Sequence, residues 1–476
     1  MGHRKTNLLD RICSFVFNYT DSVLLLLDRQ LSLRAKRSNL YCPGVRDCHG
    51  PSGLAMTLHR NVIGQQLRKR NSNLKGAGKM KVSKRAQAVP PSATLAVTSR
   101  AKELKAKGVD VVDFGAGEPD FDTPDYIKEA AIKALKAGKT KYTAESGIVE
   151  LRTAIAAKLE KENGLKYTPE QIIVNIGGKH SVYEAMQAVL DTGDEVLLPL
   201  PYWVTYPETI KLAGATPKIL ETDRKNSYKV TPSQLKKAIT PSTAMLVLNS
   251  PSNPGGFTYT PEELKALAKV IEGTKVIVLS DEIYEKLIYG DTKFVSFASL
   301  SKDAYDRTLT LNGLSKTFSM TGWRLGYAAG PLDVIKAMGR LQSHMTSNAV
   351  TFAQYAAIAA IEDPSADEIV EKMRKEFERR GKYMAQRLNG IKGIECPEPT
   401  GAFYCFPDVS SHYGRNINSA KINGSMDFAK AILEQANVAL VPGLPFGCDN
   451  NIRLSFACSL EQIAKGLDRL EKWLAQ

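Results

Sequence analysis

From about residue 97 onward the chain alternates between short apolar runs and longer runs with helical spacing. "QIIVNI", "EVLLPL", "TPKILE", "AMLVLN", "KVIVLS", "TLTLN" and "LGYAAG" are short, nearly uninterrupted apolar segments. That pattern predicts strands. "SVYEAMQAVLDTG" and "PEELKALAKVIEG" fall between them, with apolar positions three and four apart and a glycine stop, which predicts helices. Upstream, "VTSRAKELKAKG" and "DYIKEAAIKALKAG" predict two more helices. They flank "DVVDFGAGEPDFDTP", a short strand that runs into a Gly/Pro/Asp loop. Strands alternating with helices predict an α/β fold around a mostly parallel sheet. After residue 364 the style changes. A long charged helix, "ADEIVEKMRKEFERRGKYMAQRLNG", leads into "GIECPEPTGAFYCFPDV", "VALVPGLPFG" and "NIRLSFA", the pattern of a smaller α+β domain.

The first 79 residues read differently. They hold 14 Lys+Arg against 4 Asp+Glu, so they carry +10 of the formal net charge of +14. The remaining 397 residues carry only +4, which argues against a nucleic-acid-binding core. A basic, acid-poor leader fits a transit peptide. The alternative, which we favour, is translation from upstream of a true start at Met80, because regular patterning begins abruptly there. "GAGKM" at this point resembles the end of a phosphate-binding loop, but Met80 stands where Ser or Thr must bind magnesium. No apolar run approaches the roughly 20 residues of a membrane-spanning helix. "ICSFVFNYTDSVLLLL" is interrupted by Asn18 and Asp21. Seven scattered cysteines without a CxxC give no disulfide framework, and the six histidines show no metal-ligand spacing, so no metal is expected.

The chemistry-bearing residues cluster at the predicted strand ends, where open α/β sheets bind ligands. Lys316 lies in "LTLNGLSKTFSMTGWRLGYAAG", a run of small and polar residues, with Arg324 eight positions on. Asp281 follows an apolar strand in "KVIVLSDEIYE", with Tyr284 three residues later. It reads either as a helix N-cap or as a carboxylate that keeps a cofactor ring nitrogen protonated. "AMLVLNSPSNPGG" places Asn253 in an ordinary turn, from which its amide could meet a cofactor hydroxyl. "VNIGGKHSVYEA" sets Gly178 and Lys179 between strand and helix, a phosphate seat if the helix N-terminus is open. Trp203 in "LPLPYWVTYPE" is either core or an aromatic plate for a planar cofactor. Arg453 in "NNIRLSFA" is either a surface ion pair or a fork for a carboxylate. "DFGAGEPDFD" has Asp120 where a dinucleotide fingerprint needs glycine, which excludes that reading.

Together these segments resemble the class I pyridoxal-phosphate aminotransferases, the aspartate aminotransferase fold type, across roughly residues 84–476. "SKTFSMTGWRLGY" is very close to the family's lysine signature. "AGEPDFDTP", "PYWVTYPE", "NSPSNPGG" and "DEIYE" occur in the family's order. The resemblance is greatest to the bacterial-type branch, which includes enzymes that also use prephenate.

The resemblance implies fold type I, with a mostly parallel central sheet in a large pyridoxal 5′-phosphate domain over 124–365. It implies a C-terminal small domain over 366–476, and an N-terminal arm with part of the small domain over 80–123. By the same resemblance Lys316 would hold the cofactor covalently and, once displaced, act as general base for the α-proton. Asp281 would pair with the ring nitrogen, Tyr284 and Asn253 with the ring oxygen, and Trp203 would stack on the ring. Arg324, Gly178 and Ser315 would hold the phosphate, joined by Tyr142 of a second subunit, which requires a homodimer. Arg453 and the Gly117 backbone would bind the substrate α-carboxylate. Lys179, with Ser92 and Thr94 of "PPSATLAV", would bind a second carboxylate. Aspartate, glutamate and their oxo acids follow as substrates in a ping-pong exchange. The family commonly has glutamine where His180 follows Lys179 here, a departure expected to matter little.

Two alternatives stay open. One is an aminotransferase of the same fold for alanine or aromatic amino acids. The other is a regulator that joins a DNA-binding segment to an aminotransferase-like domain, although residues 1–79 show no helix-turn-helix. A cytoplasmic location is expected, or a plastid or mitochondrion if the leader is a transit peptide.

Overall fold

In the computed structural model, which describes residues 81–476, all seven apolar runs form strands of one sheet. The predicted leader, residues 1–79, lies outside the described residues. After a two-residue strand β1 (Val112–Asp113), the sheet is built from β2 (Ile172–Asn175), β3 (Glu195–Pro199), β4 (Thr216–Leu220) and β5 (Thr243–Asn249). It continues with β6 (Ile277–Asp281), β7 (Thr308–Gly313) and β8 (Gly326–Ala329). The spatial order is β2-β8-β7-β6-β5-β3-β4. All neighbours are parallel except that β8 runs antiparallel to both β7 and β2.

The reversal of β8 has a local cause. A parallel neighbour needs a crossover that returns the chain to the far edge, whereas an antiparallel one needs only a loop. Residues 314–325 are such a loop, holding only a short helix, Leu314–Thr317, and one 3₁₀ turn, Thr321–Trp323. They therefore start and finish at the edge where β5, β6 and β7 end. Lys316 and Arg324 are kept at that edge by the direction of β8.

Apolar side chains of β2–β8 feed three clusters on the two faces of this sheet, under helices such as Asp125–Lys136, Gly178–Val189 and Pro261–Ile271. A fourth cluster is separate in sequence. It joins Val112 and Phe114 to Phe377, Phe403, Phe428, Phe456 and Trp473. Around it stand β9 (Tyr404–Cys405), the hairpin β10 (Asn416–Ile417) with β11 (Ala420–Lys421), β12 (Val438–Ala439), β13 (Val441–Pro442) and β14 (Ile452–Ser455). β1 pairs in parallel with β12, and β14 lies between β13 and β9. The long charged helix spans Ala366–Asn389 and turns its apolar stripe, Val370, Met373, Phe377 and Met384, inward.

Three boundaries differ from the sequence pattern. The first described long helix spans Ala93–Ala106, four residues earlier than its apolar spacing suggested, with Ser92 as N-cap. The helix after β2 begins at Gly178, so Gly178 and Lys179 belong to its first turn. Asp281 is the last residue of β6, and the segment after it forms turns, which removes the N-cap reading. Among the described residues, no helix is long and apolar enough to cross a membrane, and no cluster of His, Cys, Asp and Glu could hold a metal ion.

Candidate active site

A cavity of about 410 Å³ opens where β5, β6 and β7 end. Thirteen of the fourteen residues singled out in the sequence line it: Ser92, Thr94, Gly117, Gly178, Lys179, Trp203, Asn253, Asp281, Tyr284, Ser315, Lys316, Arg324 and Arg453. Tyr142 does not. It is 89% exposed and lies outside the cavity of its own chain.

Strand pairing sets the floor. β5 and β6 are in register through Asn249 opposite Asp281, so both strands deliver a polar residue at the same level. The Asn249 amide donates to the Asp281 carbonyl (3.1 Å), and its Oδ1 accepts from the Asn253 N–H (2.8 Å). The Asp281 carboxylate is buried. Oδ2 accepts from the Tyr206 hydroxyl at 2.6 Å, and Oδ1 accepts from the Ile283 N–H at 3.3 Å. Burial pushes the Asp281 carboxyl above its ordinary value, against the lowering pull of Tyr206, Ile283 and the Lys316 charge. Tyr206 lies one helical turn after Trp203, and their rings meet edge to face at 5.4 Å.

Lys316 lies in the short helix after β7. Its Nζ donates to the carbonyl of Gly117, and it faces the rings of Tyr284 (6.0 Å) and Phe403 (5.6 Å). Desolvation lowers its pKa to about 8, with Glu118 acting the other way and Arg453 and Arg324 adding to the decrease. An amine that titrates there is partly neutral near pH 7, so it can act as nucleophile or base.

The loop of Gly117 is stitched to the lysine loop. Thr321 donates to Glu118 at 3.0 Å, Thr123 donates to the Ser319 carbonyl at 2.7 Å, and Trp323 Nε1 donates to Thr123 at 3.0 Å.

A second corner is basic and tight. Gly177 has φ +81, and a Cβ there would meet the Arg324 guanidinium at 2.5 Å. A Cβ on Gly326 would fall 2.4 Å from the Gly178 nitrogen. The missing side chains let the Arg324 guanidinium lie beside the first turn of Gly178–Val189. In that turn the N–H groups of His180 and Ser181 donate to the Gly177 carbonyl, which leaves those of Gly178 and Lys179 for an outside acceptor. This corner can hold an anion. Lys179, in the same turn, places Nζ 4.8 Å from the Trp203 ring centroid, and desolvation with the nearby Arg324 charge lowers its pKa. The Ser92 and Thr94 hydroxyls, 2.9 Å apart, line the same cavity.

Arg453 departs most from a surface ion pair. It is 2% exposed and has no carboxylate partner among the described residues. Its Nη1 donates to Asn253 Oδ1 (3.0 Å) and its Nη2 to the Gly115 carbonyl (2.9 Å), while Nε is buried without a partner. A buried guanidinium satisfied only by neutral groups is a waiting carboxylate fork. Asn253 gives its carbonyl to Arg453, so the group it can offer a cofactor is its amide Nδ2.

Polar lining residues that escaped the sequence reading include Tyr206, Tyr404, Glu118 and Lys102. Tyr206 and Glu118 stand inside quoted motifs, one turn after Trp203 and next to Gly117, and helical spacing could have found the first. Tyr404 and Lys102 carry no local signal.

Residues 109–470 match the family described as "Aminotransferase class I and II". The chain is 50% identical over 398 residues to an aspartate aminotransferase of Geobacillus stearothermophilus, covering 83% of this chain and 99% of that one. It is 49% identical over 389 residues to an aspartate/prephenate aminotransferase of Cereibacter sphaeroides, covering 81% and 97%. The structure is similar to that of the Thermus thermophilus aspartate aminotransferase with maleate. The TM-score is 0.77 at 42% identity, over 83% of this chain and all of the other.

Proposed function

The chain belongs to the class I and II aminotransferases, enzymes dependent on pyridoxal 5′-phosphate, and from that premise we propose that it moves an amino group from aspartate to 2-oxoglutarate. Oxaloacetate and glutamate are the products. The observation that carries the substrate assignment is the pairing of two cationic groups in one cavity. Arg453 is buried and lacks a carboxylate, and Lys179 shares the cavity with the Ser92–Thr94 hydroxyl pair. Two carboxylates, one on the α-carbon and one distal, suit that arrangement. The names of relatives at 46–50% identity support the same choice.

The residues fit the cofactor. The Gly177–Gly326 cradle beside Arg324 suits its phosphate, with Gly178 and Ser315 adding donors. Trp203 offers an aromatic face, Asp281 a buried carboxylate for the ring nitrogen, and Tyr284 and Asn253 donors for the ring oxygen. When bound, pyridoxal phosphate carries the amino group between the half-reactions and delocalises the electrons left by the departing α-proton.

The protein supplies the rest. Arg453 fixes the α-carboxylate, and Lys179 with Ser92 and Thr94 fixes the distal one, so the α C–H bond is held in one orientation. The Lys316 amine would take the α-proton and hold it as its ammonium form, ready to be returned. Burial of Asp281, Tyr284 and Arg453 keeps water from competing for these contacts. Tyr142, exposed on its own chain, would reach the phosphate of a second subunit, giving a homodimer with shared sites.

Prephenate, an oxo acid with two carboxylates, is a second candidate acceptor, supported by the name of the Cereibacter sphaeroides relative.

The test is a half-reaction. The full chain, loaded with pyridoxal phosphate, is mixed separately with aspartate, glutamate, alanine, tyrosine and phenylalanine, without an oxo acid. Rapid loss of the visible cofactor band with aspartate and glutamate alone is expected. Equal or faster loss with alanine or an aromatic acid overturns the substrate, and absence of any bound cofactor overturns the site.

A further inference from the structure

The small-domain segment "GAFYCFPDV" contributes to this site a residue that none of its motifs signals. Tyr404 belongs to β9 and stands directly opposite Ser455 of β14. Side chains two apart on a strand share a face, so Arg453 and Ser455 point the same way, and Tyr404 is the diagonal neighbour of Arg453 on that face. The contact follows. The Arg453 guanidinium carbon lies 4.5 Å from the Tyr404 ring centroid. At its other end the Tyr404 hydroxyl is 3.0 Å from the Tyr284 hydroxyl. It also reaches within 3.3 Å of where a Cβ on Gly117 would be, and Gly117 is the residue whose carbonyl accepts from Lys316. The whole side chain is 1% exposed, and a Cβ on Gly256 would fall 2.3 Å from the Tyr404 carbonyl oxygen, which pins its backbone.

We propose that Tyr404 is a positioning residue that joins the cofactor side of the site, through Tyr284, to the carboxylate fork, Arg453. The inference rests on the roles given above to Tyr284 and Arg453. Each phenol has one proton to donate. If Tyr284 donates its proton to the cofactor ring oxygen, the 3.0 Å contact requires Tyr404 to donate to Tyr284. That hydrogen bond polarises the Tyr284 O–H and strengthens its hold on a negatively charged oxygen. The ring of Tyr404, meanwhile, gives the guanidinium an aromatic face without using an N–H, so the N–H groups not taken by Asn253 and Gly115 stay available to a carboxylate. The charged and titratable groups that act on Tyr404 are Arg453 and Tyr284.

The two functions separate by substitution. Tyr404→Phe removes the hydroxyl and keeps the ring, whereas Tyr404→Leu removes both. Two readouts are used in the full chain. The first is the pH midpoint at which the visible band of the cofactor-loaded protein titrates. The second is the affinity of cofactor-free protein for maleate, measured by calorimetry.

Tyr404→Phe is expected to raise the midpoint, on the order of half a pH unit, because a weaker Tyr284 donor stabilises the deprotonated form less. It is expected to leave maleate affinity within about twofold, while Tyr404→Leu weakens it roughly tenfold. An unchanged midpoint in Tyr404→Phe overturns the link to Tyr284. Equal maleate affinity in Tyr404→Leu and wild type, or no maleate binding by wild type, overturns the link to Arg453. A wild type that takes up no cofactor defeats the proposed function instead, and the maleate ratio still decides the Arg453 contact.

Discussion

The hydroxyl of Tyr206 donates to the buried Oδ2 of Asp281 at 2.6 Å, across 75 residues of sequence. It gives an ionised carboxylate a donor where burial alone would neutralise it. Tyr206→Phe removes the donor, so the Asp281 carboxyl should rise further and hold a ring nitrogen less firmly. A hydrogen bond to a charged group is worth about 1.5–3 kcal/mol, so the half-reaction with aspartate should slow roughly 10- to 100-fold. Stopped-flow loss of the cofactor band measures it. An unaltered rate would mean that Tyr206 serves packing alone.

Lys316 gives a pH prediction. Its amine is held near 8 by burial, and the neutral form is the one that attacks a carbonyl. Capture of pyridoxal phosphate by cofactor-free protein should accelerate as pH rises through about 8 and then level off. Glu118 raises this midpoint by its charge. Glu118→Gln should therefore move the midpoint down and speed capture at neutral pH. A shift in the other direction would contradict the assigned sign.

Lys179 should matter for one class of substrate. Lys179→Ala is expected to reduce kcat/KM for aspartate and glutamate by roughly 100-fold, the scale of a charge-assisted carboxylate contact, with alanine little affected. Steady-state kinetics with all three donors decide it. Equal losses would remove Lys179 from the distal carboxylate.

Beneath the Lys179 turn lies a buried polar network. Asn175 Nδ2 donates to Glu184 Oε2 (2.6 Å) and to Gln342 Oε1 (2.8 Å), and His180 Nε2 lies 3.1 Å from Glu184 Oε1. Burial raises the Glu184 carboxyl from 4.5 to about 8, and lowers His180, so both favour their neutral forms. The folded protein therefore holds a proton that the unfolded chain releases above pH 4.5. Stability falls as pH rises toward about 8 and is level beyond. Glu184→Gln removes this dependence. The stability difference between variant and wild type should shift in favour of the variant by about 2 kcal/mol between about pH 6 and pH 8. Denaturant titrations at the two pH values test it, and a constant difference would mean that the carboxylate is ionised in the fold.

The apolar runs were enough to identify all seven strands of the main sheet: six are largely buried and their composition records that burial, whereas β4, at one edge, buries only Leu220. The lysine loop, the Asp281 strand end and the Asn253 turn were legible for a related reason. Their residues are unusual for their local surroundings and follow one another in a specific order. Strand order and the reversed direction of β8 were not legible, since pairing depends on partners far away in sequence.

The same limit governed the site. Nothing local distinguishes Arg453 from a surface arginine. Its burial without a carboxylate arises only when β14 packs beside β9 and meets Asn253 across 200 residues. Tyr206, Tyr404 and Glu118 became site residues in the same way, through contacts between elements that the chain keeps apart. The sequence by itself determined the elements and the chemical groups available. The tertiary structure alone decided which of those groups face one another and which charges are left without a partner. Those properties depend on distance and desolvation, and both are set by packing.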